Sequence, residues 1–414
     1  MTSGFSLDQL STELLIKIFS YVDIKDLCHL TVTCKRFKEI ISTWDKVIVK
    51  FKRLPAVTNQ TNEIFLSRCF KPLNNLDKLR ISKNWQMARY CESNLLYSRK
   101  KYIPYLKISD RFLWMSRGDE IKCYQRNETG IITEKSFYTL KGATNADIVN
   151  FQLRNNLIVG GLRDGTMRIH DLKNRNAIYE LDNWHHTDIN SVDIDRFGCI
   201  IVSGERNGII NIVKILDGQL INDSLTKIVC PDRIWKISLS DENKLAVGTS
   251  GNEHPSSLFI YDITRQNKDH VELFNENRVV GSGILDIRWD GPQILWTCGY
   301  DSVLKRWDLR TGKSEQNFFD PFGSVLYCLD YDYVNTIMTG VNMHGRIVLW
   351  DIRQRRAVQM YYMESCRKGY NGSSPVYSLA FDSEFLFSTT DKHLNVLNFS
   401  SYDQTHSNDY TFFF

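Results

Sequence analysis

The chain has 414 residues, 42% of them hydrophobic and 12% aromatic. That is enough for a large core or two domains, and with 24% charged residues it is not a disordered composition. The net charge of +4 is uneven: residues 1–101 carry +9 and the remainder −5, so the basic head either meets an acidic partner surface or forms a solvated helical face. Ten cysteines without a C-x-x-C pair argue against zinc and redox motifs. "MTSGFSLDQL" lacks the basic and apolar regions of a signal peptide, and no apolar run reaches the roughly 18 residues of a membrane helix. A reducing setting, cytoplasmic or nuclear, is expected.

The first fifty residues are helical. Ser11 is placed to cap a helix with Glu13 in its first turn. Leu14, Leu15, Ile18, Phe19 and Val22 then recur at helical spacing in a broad stripe. Asp23 precedes a second short helix bearing Leu27 and Leu30, and Thr33 a third bearing Phe37 and Ile40. Three short helices cannot bury this much apolar surface alone, so a partner or the next domain must complete them. The spacing of Leu10, Glu13-Leu14-Leu15, Ile18-Phe19-Ser20-Tyr21, Asp26-Leu27, Cys34-Lys35 and Phe37 resembles the F-box, with Ser11 where that family usually has proline. The resemblance implies that Leu10, Leu14, Leu15, Ile18, Phe19, Leu27, Cys34 and Phe37 bind a Skp-type adaptor.

Residues 54–92 follow as a connecting segment. "NEIFLSRCF" and "LDKLRISKNWQMARY" space their apolar residues as helices do, which would hold two modules at a fixed separation.

From there one pattern recurs. "CGYDSVLKRWDLRTG" holds an alternating strand, a turn at Asp301 and the pair Trp307-Asp308. The same place is filled by Tyr124-Gln125, His170-Asp171, Val213-Lys214, Tyr261-Asp262, Trp350-Asp351 and Leu397-Asn398. The steps between the pairs are 46, 43, 48, 46, 43 and 47 residues. A step just above 40 residues with four strands per copy marks a β-propeller blade. Asp164-Gly165 and Asn207-Gly208 are two-residue hairpin signals, since both residue types tolerate positive φ. The copies resemble WD repeats, although only Trp184-His185 approaches the Gly-His pair such repeats carry. Closing the ring needs a fourth strand for the last copy. "SNLLYSRKK", around Asn94–Arg99, is expected to supply it, with the tail "SSYDQTHSNDYTFFF" as competitor.

The expected fold is mainly β, a seven-bladed WD-repeat propeller preceded by an α-helical F-box and a helical linker. The parts are residues 1–53, 54–101, 102–399 and a tail, 400–414. This order, with "RISKNWQMARY", "DRIWKISLS", "ILDIRWDGPQILWTCGYDSVLKRWDLR" and "SSPVYSLAFDSEFLFSTTDKHLNVLNF", resembles the F-box/WD-repeat proteins of the dactylin type. The resemblance implies a non-catalytic adaptor subunit of a Skp–cullin–F-box ubiquitin ligase, whose propeller presents a protein substrate or degron peptide for degradation. The alternative is a non-degradative interaction scaffold.

In related propellers the substrate meets the face where each first strand begins. Carried onto this chain, the first-strand positions are Val149, Asn190, Trp235, Leu285, Tyr327 and Tyr377, and the positions before the turn include Arg163, Arg206 and Tyr300. The set is mostly aromatic or apolar, with two arginines where a phosphopeptide reader needs a guanidinium cluster. It suits an apolar or aromatic anchor beside one acidic group, or else it merely fills the funnel of the ring. Asp119, Asp164, Asp301 and Asp391 are explained by turns, and no H-E-x-x-H, G-x-S-x-G or phosphate loop appears, so neither catalysis nor a cofactor or metal is expected. The cluster Arg353, Arg355 and Arg356 lacks the aromatic interleaving of a nucleic-acid site and reads as a solvated loop.

Overall fold

Seven β-sheets stand side by side around a channel, six of four strands and one of five. In this computed structural model the described residues are 6–43, 57–127, 135–173, 178–216, 219–264, 270–273, 280–354, 356–363, 374–401 and 406–407. Blades 1 to 6 span residues 106–141, 148–181, 189–229, 234–273, 284–319 and 326–362. Blade 7 takes three strands from residues 378–398. Its fourth strand is Arg89–Tyr97, antiparallel to His393–Asn398. The closing strand thus begins five residues before the run expected to form it, and takes in Arg89 and Tyr90 from the segment read as helical. The tail does not displace it: His406–Ser407 pairs with Tyr90 and Arg89 on its outer edge. Phe412–Phe414 lie outside the described residues.

Strands with both faces covered read as continuous apolar runs. Leu157–Leu162 and Arg346–Asp351 are buried at every position, because each blade is clasped between two others. The core is therefore seven interblade cores, for example Trp296, Leu304 and Phe318 of blade 5 against Tyr331, Val348 and Trp350 of blade 6.

The channel edge of each innermost strand has no further strand to pair with, and its N–H groups must still be satisfied. Side chains of the preceding blade do this. Ser191 Oγ accepts from Ile237 N at 3.1 Å and Asp193 Oδ2 from Leu239 N at 2.8 Å. Asp286 Oδ2 accepts from Leu329 N at 3.0 Å, and Asp330 Oδ2 from Phe381 N at 3.3 Å. Across the closure, Ser378 Oγ accepts from Leu106 N of blade 1 at 3.0 Å.

The Trp-Asp pairs divide their labour. Trp307 and Trp350 donate Nε1–H to Thr297 and Thr339 of the second strand, at 2.8 and 2.9 Å. Asp308 and Asp351 accept the N–H two residues on, from Arg310 and Arg353, at 2.9 and 3.0 Å, forming Asx turns. Arg353 Nη2 also binds Asp351 at 2.6 Å, so that arginine is paired; Arg356 is exposed, and Arg355 lies outside the described residues. At the hairpin signals only the glycines take positive φ, +84° at Gly165 and +89° at Gly208. A Cβ there would lie 2.3 Å from His185 O and 2.5 Å from Cys230 O, because the chain leading to the next blade crosses tightly over each turn.

Where blade 2 replaces the tryptophan, His170 is buried and neither ring nitrogen has a hydrogen-bond partner. Burial, reinforced by Arg168, pushes it down to about 4 from 6.5. The unfolded chain therefore takes up a proton first, and stability is lost as pH falls from 6.5 towards 4. Between pH 7 and 5 this one residue should cost about 2 kcal/mol. Urea titration at both pH values should show that loss, and His170→Phe should reduce it.

The helices are α1 (Thr12–Phe19), α2 (Ile24–Thr33), α3 (Lys35–Thr43), α4 (Glu63–Leu66) and α5 (Asn75–Gln86). Asn62 and Asn74 cap α4 and α5 through their side-chain oxygens. Both helices insert into the core between blades 6 and 7. Trp85 stacks on Phe399 at 3.5 Å and donates Nε1–H to Ser383 O at 3.1 Å, while Tyr361 Oη donates to Trp85 O at 2.7 Å. Arg68 grips both oxygens of Asp330 at 3.0 and 2.9 Å. The linker is thus part of the ring's own core.

Candidate functional site

Two surfaces emerge, one on the helical head and one at the mouth of the channel. In the helical head, Leu15, Ile16, Phe19, Leu27, Phe37, Ile40 and Ile41 form a buried cluster. Phe19 and Phe37 meet edge-on at 5.2 Å. Leu10, Val22, Leu30 and Cys34 pack at its rim, and Leu76 of α5 supplies a further wall. The eight residues expected at an adaptor therefore divide. Leu15, Phe19, Leu27 and Phe37 are covered by their own chain, and Leu10 and Cys34 partly so. Leu14 and Ile18 stand out, 50% and 39% exposed. The division has a helical cause: a broad stripe on a short helix cannot turn wholly inward, so its outer edge remains in water.

Tyr21, 71% exposed, continues that edge at i+7 from Leu14 and i+3 from Ile18. The eight-residue set omitted it, although its spacing from Leu14 was the available signal. Ser11 occupies the N-cap position, but its side chain makes no bond to a helix N–H. The Glu13 carboxyl is held below its usual range by its own backbone N–H first and by the neighbouring Ser11 hydroxyl second. Arg36 ties the head's start to α3, donating to the Asp8 carbonyl and to Thr12 Oγ1.

At the other end, the first-strand and pre-turn positions are brought together by backbone bonds within each blade. Arg163 N donates to Asp147 O, Arg206 N to Asp188 O and Tyr300 N to Gly283 O, each at 2.9–3.0 Å. These bonds set Arg163 beside Val149, Arg206 beside Asn190 and Tyr300 beside Leu285 around the channel mouth. Tyr300, Tyr327 and Tyr377, from blades 5, 6 and 7, form one continuous cluster, with ring centroids 6.5 and 6.0 Å apart. Burial raises the phenols of Tyr327 and Tyr377, so both stay protonated donors at neutral pH.

The opposite arc is cationic. Arg233 lies over the Trp235 ring at 5.8 Å, a pairing the sequence reading missed because Arg233 precedes the strand. Arg206 has no side-chain partner among the described residues, whereas Arg163 faces Asp147 at 3.9 Å with both half exposed. Asn190 has a structural duty: its Nδ2 donates to Ile234 O of blade 4 at 2.7 Å. Val149, Trp235, Leu285, Tyr327 and Tyr377 are half-buried, as befits a funnel wall, and Tyr300 is exposed. Phe322 adds an exposed ring between blades 5 and 6, under which Arg346 sits at 4.9 Å.

Turn duty accounts for two of the aspartates set aside above. Asp164 Oδ1 accepts from Thr166 N at 3.0 Å, and Asp301 Oδ1 from Val303 N at 3.2 Å. Asp119 is paired with Lys141 at 2.9 Å, and Asp391 accepts from Ser374 Oγ. No helix of the described residues is long and apolar enough to cross a membrane.

Residues 8–49 match the family model described as F-box-like. F-box/WD repeat-containing protein 4 of Homo sapiens is 29% identical over 406 residues, covering 96% of this chain and 94% of its own length. The Mus musculus protein of the same name is 28% identical, covering 95% and 93%. Angio-associated migratory cell protein of Homo sapiens is 26% identical over 171 residues, 37% of each chain.

Proposed function

Starting from a chain that resembles the F-box/WD-repeat proteins of the dactylin type along nearly its whole length, we propose that it is a substrate-recognition subunit of a Skp–cullin–F-box ubiquitin ligase. In this reading the head binds a Skp adaptor through Leu14, Ile18 and Tyr21, and through it a cullin. The channel mouth binds the protein to be modified. The observation that carries the reading is the union in one chain of an exposed apolar stripe on an F-box-like head and an aromatic funnel on a propeller. Neither surface needs chemistry of its own. The chain's work is positional, and Trp85 and Arg68, which lock linker to ring, set the distance over which ubiquitin must travel. Co-purification separates this from the scaffold reading: a ligase subunit brings down a Skp adaptor and a cullin, and a scaffold brings down neither.

The funnel is suited to a peptide with an aromatic or apolar anchor and one acidic group. The anchor would enter the arc of Tyr300, Tyr327 and Tyr377, and the acid would meet Arg206 and Arg233 beside Trp235. On a peptide array, Tyr327→Ala or Trp235→Ala should weaken the best binders by about 30-fold, the scale of a 2 kcal/mol hot spot. Binding governed by phosphorylation and indifferent to both substitutions would refute this specificity.

A further inference from the structure

Beneath the aromatic mouth the channel wall becomes charged. By register with the second strands, each blade contributes one residue to a lower ring, among them Lys107, Gln152, Asp193, Arg288, Asp330 and Ala380. They line a cavity of about 580 Å³, walled on one side by Ile64 of α4 and by Arg68.

The two carboxylates of the ring are already engaged; of the other acids on the cavity wall, Asp290 accepts from Trp296 Nε1 and Tyr331 Oη, both at 3.3 Å, and Asp241 and Glu242 are exposed, Glu242 facing Lys244 at 3.5 Å. Asp330 is held by Arg68 and by Phe381 N. Asp193 accepts from Ile194 N at 2.9 Å and Leu239 N at 2.8 Å. One level up, Asp286 is shared by Lys236 at 3.2 Å, Arg288 Nη1 at 2.9 Å and Leu329 N.

The cations are not fully engaged. Among the described residues Lys107 Nζ has neither a hydrogen bond nor an ion pair, and its ring neighbours on blades 2 and 7 are the uncharged Gln152 and Ala380. Among the described residues Arg288 bonds through Nη1 alone, to Asp286 and to Ile287 O at 2.9 Å, which leaves Nε and Nη2 without a partner there. Burial first, then Arg288 and Lys236, pushes Lys107 down to about 7, against the opposing pull of Asp193 and Asp286. Lys107 is half-buried in the channel wall, and an ammonium partly shielded from water without a counter-ion gains by losing its proton or by taking up an anion.

We propose that this cavity is a binding site for a small oxyanionic molecule, a phosphate ester or a polycarboxylate, held between Lys107 Nζ and the unpaired edge of Arg288. Guanidinium and ammonium groups that converge from different blades match such a group, and the volume is that of a small-molecule site. The occupant would lie against Arg68, where linker and ring join.

The test is calorimetry on the full-length chain with pyrophosphate and with citrate. The wild type should bind at least one of them, at least tenfold more tightly than Lys107→Gln, and Lys107→Arg should retain binding. Pyrophosphate alone assigns the site to phosphate esters, and citrate alone to polycarboxylates. A second measurement needs no variant: amine acylation followed by mass spectrometry should show Lys107 protected by the anion that binds. Equal affinity in Lys107→Gln, no heat with either anion, or no protection of Lys107 would overturn the site.

Discussion

Leu14→Asp should abolish capture of a Skp adaptor and leave the propeller intact. Leu14 is half exposed on the outer edge of α1 and is not a member of the buried cluster of the head. A carboxylate there is solvated in the free chain but must be desolvated in an apolar interface. The expected penalty is that of a central hot spot, about 2–4 kcal/mol, or roughly 30- to 1000-fold in affinity. Ile18→Asp should behave alike. Phe19→Asp is the contrast: Phe19 is 1% exposed and packs edge-on against Phe37, so a charge there unfolds the head itself. The three variants separate contact from folding. Binding to purified adaptor should be lost in all, helical ellipticity should fall only in Phe19→Asp, and the propeller melt should be unchanged throughout. An adaptor that binds Leu14→Asp as tightly as wild type would contradict the proposed docking edge.

The second large effect concerns the ring. Trp85 is fully buried between Phe399, Phe381 and Tyr361, and Trp85→Ala removes its stack on Phe399 and its hydrogen bond to Ser383 O. A buried aromatic truncated to alanine costs about 3–5 kcal/mol. The loss should appear in the propeller's own melt, because the linker and blades 6 and 7 share one core. A chain beginning at residue 102 should fare worse. Without Arg89–Tyr97, the strand His393–Asn398 presents an unpaired edge, and blade 7 has three strands. That chain should aggregate on expression, and one beginning at residue 57 should fold. A monomeric, cooperatively melting product from residue 102 would show that closure does not depend on the upstream strand.

Legibility followed physical range. Local chemistry was plain: the near-equal steps between Trp-Asp-type pairs give the number of blades, because each copy repeats the same four-strand unit and the same Asx turn at positions such as Asp308 and Asp351. The helical head was plain for the same reason, its apolar residues recurring every third or fourth position. Which of those residues face inward was not, because that depends on how α1, α2 and α3 pack on one another, with Leu76 of α5 as a further wall.

Long-range pairing was the harder part. Alternation is clearest at Asn94–Arg99, yet the closing strand begins at Arg89, where the pairing of Arg89 with Ser407 and of Cys91 with Asn398 outweighs the helical spacing of "NWQMARY". The funnel residues were named one by one from their place in each copy. Only the closed ring showed that Tyr300, Tyr327 and Tyr377 touch while Asn190 is committed to blade 4. Sequence by itself determined what each blade is and how many there are, since strands and turns are specified by neighbours along the chain. The tertiary structure alone decided which charges inside the channel are satisfied, because Arg68 and Asp330 lie 262 positions apart and only ring closure brings them within hydrogen-bonding distance, while Lys107 has no such partner among the described residues.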